Sequence, residues 1–277
     1  MDVQTVKDTV KSRYDAVAEQ GGRACCCAGK AVSPSFAAEH GLYSQEELLQ
    51  VPETAFSLSR GCGNPTGFAD LQPGETVVDF GCGAGIDVVL AANKVGSDGK
   101  VVGVDMAPHM IQRAGQAMIE AGMTKTTEFV VAELNKTELP DSFADVVISN
   151  CVINLCPDKE AVYREIHRIL RPGGRLAISD IVYAEEIDPD VRERFQSNWV
   201  GCVGGSIVED RYFQLLHETG FSDVEVVAHH PLPSSELKEM ARCPGPEFTP
   251  DIATEDIASV EGRVVSVKFR ASKCRER

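Results

Sequence analysis

Short apolar runs alternate with helical patterns from residue 76 onward, and this alternation constrains the fold more than any other feature of the chain. The short runs are typical of strands, and the segments between them are typical of helices. Strands that alternate with helices form a mostly parallel sheet with helices on both faces. The sequence therefore predicts a doubly wound α/β fold. The predicted core strands are 76–80, 101–105, 128–131, 145–149 and 175–182.

Further elements flank this core on both sides. Apolar residues recur at helical spacing between 3 and 17, which predicts an amphipathic first helix with one face on the body. Ser44 and Glu47 form a capping box, which predicts the start of a short helix. After the core we expect a helix at 210–219, strands at 224–228 and 263–270, and a loop or lid insertion at 231–258.

We expect one main domain with elaborations, because 277 residues exceed what a minimal domain needs. Residues 1–72 form an N-terminal segment with helices and cysteines, and residues 73–185 form the cofactor-binding core. Residues 186–277 complete the substrate site and supply the last strands as a C-terminal α/β extension.

The charge and the cysteine content narrow the functional classes. A formal net charge of -15 disfavours nucleic acid and anionic membranes as partners. The first 20 residues carry charges throughout, unlike a signal peptide or a membrane span, so we expect a cytoplasmic protein. Thiols stay reduced there, and the 10 cysteines therefore indicate metal-binding, catalytic or redox groups rather than structural disulfides.

A glycine-rich turn follows the first core strand. Gly81, Gly83 and Gly85 let the backbone turn sharply and approach a ligand closely, although such turns also occur for packing reasons. Asp105 ends the next strand. In doubly wound folds, an acidic residue at this position accepts hydrogen bonds from the ribose hydroxyls of a nucleoside. The third glycine of the dinucleotide pattern is missing, and Asp79 precedes the first glycine. These two details favour a methyl donor over a dinucleotide.

Three cysteines stand in predicted loops far apart in the sequence: Cys62, Cys151 and Cys202. Cys151 follows the fourth core strand, and ligands of open α/β sheets bind outside the carboxyl ends of the strands. Any one of these cysteines is also compatible with a small buried apolar role. Soft thiolates select thiophilic ions, but no C-x-x-C pair joins the three, so a zinc ribbon is poorly supported.

The donor motif resembles that of class I S-adenosylmethionine methyltransferases, in residues 77–87 together with 101–105. The resemblance implies a Rossmann-like, mostly parallel sheet. It also implies that Asp105 holds the ribose, that Glu133 and Leu134 meet the adenine, and that Asn150 holds the amino-acid end of the donor. The implied donor-binding residues are Asp79, Gly81, Cys82, Gly83, Gly85, Asp105, Met106, Glu133, Leu134 and Asn150.

The segments 60–65 and 149–155 and the later Gly201-Cys202 resemble arsenite methyltransferases. That resemblance implies that Cys62, Cys151 and Cys202 bind trivalent arsenic, with arsenite or its thiol conjugates as substrate and detoxification as the outcome. It matches the Cys25-Cys26-Cys27 cluster to a further thiol region. Transfer of a methyl group oxidises arsenic formally, so we expect one of these three cysteines to relay electrons, with thioredoxin or glutathione as the reductant.

Two other functions fit the same donor motif. One is a small-molecule C- or O-methyltransferase of the quinone or sterol type, and the other is a metalloid- or zinc-binding protein without turnover. The six histidines are scattered and predict no catalytic His-carboxylate pair. The sequence is compatible with a monomer, and it leaves open the number of methyl groups added and the roles of Cys156, Cys243 and Cys274.

Overall fold

The computed structural model describes residues 2–19, 42–56, 58, 61–196, 202–241 and 252–275. Their centre is a seven-stranded sheet with the order β3-β2-β1-β4-β5-β7-β6. The first five strands are parallel, whereas β7 runs antiparallel to both β5 and β6. The strands are β1 (Thr76–Phe80), β2 (Lys100–Asp105), β3 (Thr127–Val131), β4 (Ala144–Asn150), β5 (Leu170–Tyr183), β6 (Phe221–Pro231) and β7 (Val264–Lys273).

Helices cover both faces of this sheet, as the predicted doubly wound fold requires. In the described ranges they are α1 (Val3–Glu19), α2 (Gln45–Leu48), α3 (Glu53–Phe56), α4 (Ile86–Val95), α5 (Pro108–Ala121), α6 (Lys159–Ile169), α7 (Pro189–Gln196), α8 (Glu209–Glu218), α9 (Ser234–Ala241) and α10 (Thr254–Ser259). Two 3-10 turns, Pro65–Gly67 and Ile153–Leu155, follow the segments that carry Cys62 and Cys151.

The middle strands β1 and β4 are buried along most of their length because the sheet is covered on both faces. Val77, Val78 and Phe80 of β1 are completely buried, and they point alternately to two apolar clusters on opposite sides of the sheet. Burial of this kind stabilises a fold by about 25 cal/mol per Å² of apolar surface removed from water. The core therefore fixes the carboxyl ends of β1, β2 and β4, where the predicted site residues lie.

The first helix lies on the body as predicted. Val6, Val10 and Val17 are buried, and the opposite face of α1 is exposed. The α1 carboxylate of Asp15 accepts a hydrogen bond from the His109 backbone N at 2.8 Å, at the start of α5. These contacts fix α1 across the carboxyl-terminal side of the sheet.

The segment 231–258 differs from the predicted loop or lid, because it contains α9 and α10. Leu237 and Ile257 are buried in one apolar cluster beneath these helices, a contact that the proline-rich and acidic composition concealed. The rest of the insertion lies outside the described residues, as do Cys25, Cys26 and Cys27. No helix in the described part of the chain is both long enough and apolar enough to cross a membrane.

Candidate active site

A deep cleft opens at the carboxyl ends of β1, β2 and β4. Gly81 adopts a φ of 75°, and a Cβ there would lie 2.5 Å from the Val152 side chain, so the turn after β1 requires glycine. Gly85 adopts a φ of 91° at the start of α4 and lies against Ala114 of α5. The glycines thus bring the backbone turn close to its neighbours and leave the space above it open.

Three carboxylates surround this turn: Asp79 and Asp87 are buried, and Asp105 is half-buried. Burial raises the pKa of Asp79 well above its ordinary value and that of Asp87 to about 6. Burial also raises the pKa of Asp105, although that carboxylate accepts hydrogen bonds from Gly83 N at 3.0 Å and Ala107 N at 2.9 Å. A cationic ligand beside these carboxyl groups would favour their ionised forms, and S-adenosylmethionine carries a sulfonium and an ammonium group.

The cleft is open to solvent, and residues from α1, from the turn after β1 and from the ends of β2 and β4 line it. Gly85 does not line it, whereas the other nine predicted donor residues do. Lys7 of α1 forms an ion pair with Glu133 at its edge, and Val10 and Tyr14 complete the wall. The sequence predicted the helix α1 but not its place in the cleft.

The three predicted cysteines come together beside this cleft. The sulfur atoms of Cys62 and Cys151 and a carboxylate oxygen of Asp180 all lie within 4.8 Å of one another. The Cys202 Sγ lies 3.8 Å from the carbonyl oxygen of Cys151. Cys151 itself lines the cleft, so the group of sulfurs meets the donor pocket at this residue.

Cys151 has an unusual backbone for a residue with a side chain. Its φ is 59°, in the left-handed region, directly after β4, and its backbone N donates to Ser179 O at 2.8 Å. Such conformations cost about 1–3 kcal/mol and are kept where the surroundings enforce them. Hydrogen bonding with Cys202 and with Cys62, together with burial, raises the pKa of the Cys151 thiol well above its ordinary value.

The side chain of Asn150 holds the loop that carries Cys62. Its Oδ1 accepts hydrogen bonds from Cys62 N at 3.0 Å and Gly63 N at 3.2 Å, and its Nδ2 lies 2.8 Å from Gly63 O. The same Nδ2 lies 3.0 Å from Asp87 Oδ2 and 3.0 Å from the hydroxyl of Tyr43. The amide predicted for the donor therefore contacts the Cys62 loop and a cleft carboxylate together.

Asn154 has the corresponding role for the Cys202 turn. Its Nδ2 contacts Ile181 O and lies 3.2 Å from Ser206 Oγ, and that hydroxyl donates to Cys202 O at 3.0 Å. Two asparagines that flank Cys151 in the sequence thus fix the two other cysteine-bearing segments. Sequence reasoning missed this role of Asn154, and the only local signal was an asparagine on each side of the cysteine.

Asp180 is the second group that sequence reasoning missed. It lies in β5 with no exposed surface, and burial raises its pKa to about 6. Tyr212 Oη donates to its Oδ2 at 2.9 Å, and Asn154 N donates to the same oxygen at 3.1 Å. Nothing in the pattern of an apolar strand marks such a residue as part of a thiol site.

The other described cysteines lie apart from this group. Cys156 and Cys82 line the cleft, and burial raises the pKa of Cys156 to about 12. Cys274 is exposed, 3.3 Å from Ser222 Oγ. Cys243 lies outside the described residues, together with the Cys25–Cys27 cluster.

Known proteins with similar sequences are methyltransferases. An arsenite methyltransferase of Halobacterium salinarum is 38% identical over 237 residues, which cover 81% of this chain and 59% of that protein. An arsenite methyltransferase of Mus musculus is 29% identical over 245 residues, which cover 83% of this chain and 58% of the relative. The chain thus spans less than two thirds of the length of these relatives.

Solved structures and a family profile agree with that result. The crystal structure of an arsenic (III) S-adenosylmethionine methyltransferase from Chlamydomonas reinhardtii superposes with a TM-score of 0.66 at 27% identity, covering 83% of this chain and 73% of that one. The profile of the methyltransferase domain matches residues 71–220, more than half of the chain and the whole β1–β5 core. The chain therefore belongs to the methyltransferase domain family and has the class I S-adenosylmethionine methyltransferase fold.

Proposed function

We propose that this chain transfers methyl groups from S-adenosylmethionine to trivalent arsenic bound by the thiolates of Cys62, Cys151 and Cys202. One observation carries the proposal: thiols from three distant segments meet at the wall of a donor cleft. The similarity to arsenite methyltransferases named above supports the same substrate. Arsenic is a thiophilic element, and soft thiolates select such ions over hard ones.

The donor is assigned to the acidic cleft. Asp105 would hold the ribose, Glu133 and Leu134 would lie at the adenine, and the carboxylates of Asp79 and Asp87 would face the cationic end. When bound, S-adenosylmethionine supplies an electrophilic methyl group. Val10 and Tyr14 of α1 form part of the wall of the cleft, so this helix would shield a bound donor from water on that side.

The chain's own contribution is alignment. Three thiolates around one arsenic atom leave the arsenic lone pair on the open side, and Cys151 directs that side to the cleft. The arsenic atom loses no proton in the transfer, so no general base is required. Fixing two reactants in this way replaces a bimolecular encounter with an aligned pair.

The return of arsenic to the trivalent state requires two electrons. Two thiols supply them when they form a disulfide, and we propose one of Cys25, Cys26 and Cys27 as the partner of a ligand cysteine. Thioredoxin or glutathione would then reduce the disulfide. This reductant supply, together with the reduced thiols, fits a reaction in the cytoplasm.

Two other functions predict different behaviour. A quinone- or sterol-type methyltransferase has no use for three converging thiols, whereas a metalloid-binding protein without turnover would use the thiols and ignore the donor. Incubation with arsenite, donor and a thiol reductant separates them. We expect methylated arsenic and S-adenosylhomocysteine in parallel, and formation of neither would contradict the proposed activity.

Single replacements test the ligand set. Cys151→Ser and Cys202→Ser should abolish methylation while donor binding persists, because a hydroxyl does not replace a thiolate on arsenic. Cys274→Ser, at an exposed cysteine outside the group, is the matched control and should retain full activity. Full activity in either ligand variant would refute the three-thiolate assignment.

The relay is tested separately. Replacement of Cys25, Cys26 and Cys27 together should slow repeated turnover more than a single transfer measured with enzyme in excess. Equal losses of activity in the two assays would refute the proposed electron relay.

A further inference from the structure

The buried carboxylate of Asp180 beside the thiol group has no role in a three-thiolate arsenic complex. Trivalent arsenic is complete with three sulfur ligands, yet an Asp180 oxygen lies within 4.8 Å of the sulfur atoms of both Cys62 and Cys151. The side chain has no exposed surface. A buried carboxylate is costly to keep unless it is paired, hydrogen-bonded or bound to a metal.

The hydrogen bonds of Asp180 leave it able to accept a further partner. Its Oδ2 accepts from Tyr212 Oη at 2.9 Å and Asn154 N at 3.1 Å, whereas its Oδ1 accepts from Ile181 N at 2.9 Å. A carboxylate oxygen has two acceptor sites, so one on Oδ1 remains in addition to this backbone bond. The three bonds also fix the position of the carboxylate relative to the sulfurs.

We propose that Cys62, Cys151, Cys202 and Asp180 form a four-coordinate site for a thiophilic divalent cation of the Zn²⁺ or Cd²⁺ class. Zinc takes tetrahedral sets of cysteine sulfurs and carboxylate oxygens, at about 2.3 Å and 2.0–2.2 Å respectively. The donor atoms of such a tetrahedron are about 3.6–3.8 Å apart. The donor atoms of Cys62, Cys151 and Asp180 lie within 4.8 Å of one another, so these three need a contraction of about 1 Å, which side-chain rotation of the half-buried Cys62 can supply. Cys202 lies outside that group of three, and its Sγ, 3.8 Å from Cys151 O, would turn toward the ion to complete the set.

Arsenic and a divalent cation would therefore use the same thiols but different numbers of ligands. Asp180 distinguishes the divalent cation from arsenic, because only the tetrahedral cation needs a fourth ligand. In the cell, a divalent ion bound there would exclude arsenic from its ligands. This consequence rests on the proposed function, whereas the metal site itself does not.

Cobalt is a suitable probe, since Co²⁺ in a tetrahedral thiolate site shows intense ligand-field bands and sulfur-to-metal charge transfer. We expect one Co²⁺ per chain, with sulfur and oxygen neighbours in its X-ray absorption spectrum, and loss of the bands on addition of one equivalent of arsenite. Weak octahedral bands, or sulfur neighbours alone, would overturn the proposal without any substitution.

Asp180→Asn provides the differential test. We expect Co²⁺ affinity to fall by about tenfold or more while arsenite affinity is unchanged. Asp188→Asn is the matched control, because Asp188 also accepts backbone hydrogen bonds but is exposed. If D180N bound cobalt as tightly as the unsubstituted chain, Asp180 would not be a ligand. If D180N bound neither Co²⁺ nor arsenite, the substitution would have disturbed the whole site. The X-ray absorption spectrum of the unsubstituted chain would then decide, because an oxygen neighbour of Co²⁺ supports the proposal and sulfur neighbours alone overturn it.

Competition links the site to activity. Zn²⁺ should raise the apparent KM for arsenite without lowering kcat, and D180N should be less sensitive to it. A chain that binds cobalt as described but does not methylate arsenite would refute the proposed function and leave the metal site intact.

Discussion

Replacement of Asn150 by alanine should disconnect the Cys62 loop from the rest of the thiol group. Three contacts of the Asn150 amide hold that loop, two from the backbone N–H groups of Cys62 and Gly63 and one to Gly63 O. A hydrogen bond contributes about 1 kcal/mol net, so the three together contribute about 3 kcal/mol. This corresponds to roughly a hundredfold change in the population of the docked loop.

Arsenite affinity is the quantity to measure. Titration of the reduced protein, followed by the near-ultraviolet absorption of arsenic-thiolate bonds, should give a dissociation constant about a hundredfold higher for N150A, with two sulfur ligands replacing three. Asn93→Ala, the same substitution at an exposed site on α4, should bind arsenite like the unsubstituted chain. Three-sulfur binding at unchanged affinity in N150A would refute this account of the loop.

Gly61→Ala should resemble N150A in arsenite titrations, because a Cβ at this position would lie 2.3 Å from Asn150 Nδ2; normal binding would mean that the loop docks differently. Burial raises the pKa of Asp87 to about 6, above its unfolded value, so its contribution to stability is full below about pH 4 and lost as the pH rises through about 6. Thermal unfolding of the unliganded chain should show this loss, and Asp87→Asn should flatten that part of the profile. Affinity for S-adenosylmethionine should fall as the pH drops below about 6 and Asp87 becomes neutral, which calorimetry can measure. Val10→Asp should weaken donor binding by more than tenfold in equilibrium dialysis, because an unpaired charge at this buried position should displace α1 from the wall of the cleft, whereas Val3→Asp on the exposed side of the helix should not.

The sheet could be predicted from the sequence because its signals are local. Each core strand is a short apolar run, and the turn at Gly81 follows one of them directly. The helices α9 and α10 were instead predicted as a loop or lid, because the few buried apolar residues that carry their packing, Leu237 and Ile257 among them, lie in an otherwise polar segment. Where a pattern of a few neighbouring residues determines the local structure, that structure can be predicted from the sequence.

The thiol group could not be derived from spacing in the same way. Cys62 and Cys151 are 89 positions apart, and their approach depends on an amide that accepts hydrogen bonds from the other loop. Family resemblance indicated the cysteines, but it did not indicate why they converge. Asp180 and Asn154 escaped notice because an acid in a strand and an amide after a cysteine have no periodicity to mark them.

In the proposed donor cleft, the acidic side chains around the glycine turn would also distinguish the spent donor from the fresh one. Loss of the methyl group turns the sulfonium of S-adenosylmethionine into an uncharged thioether, while the remainder of the molecule is unaltered. With the donor bound there as proposed, those carboxylates of the cleft that are ionised would therefore attract the reactant more strongly than the product. Exchange of used for unused donor would thus be favoured by the same charges that are proposed to bind it.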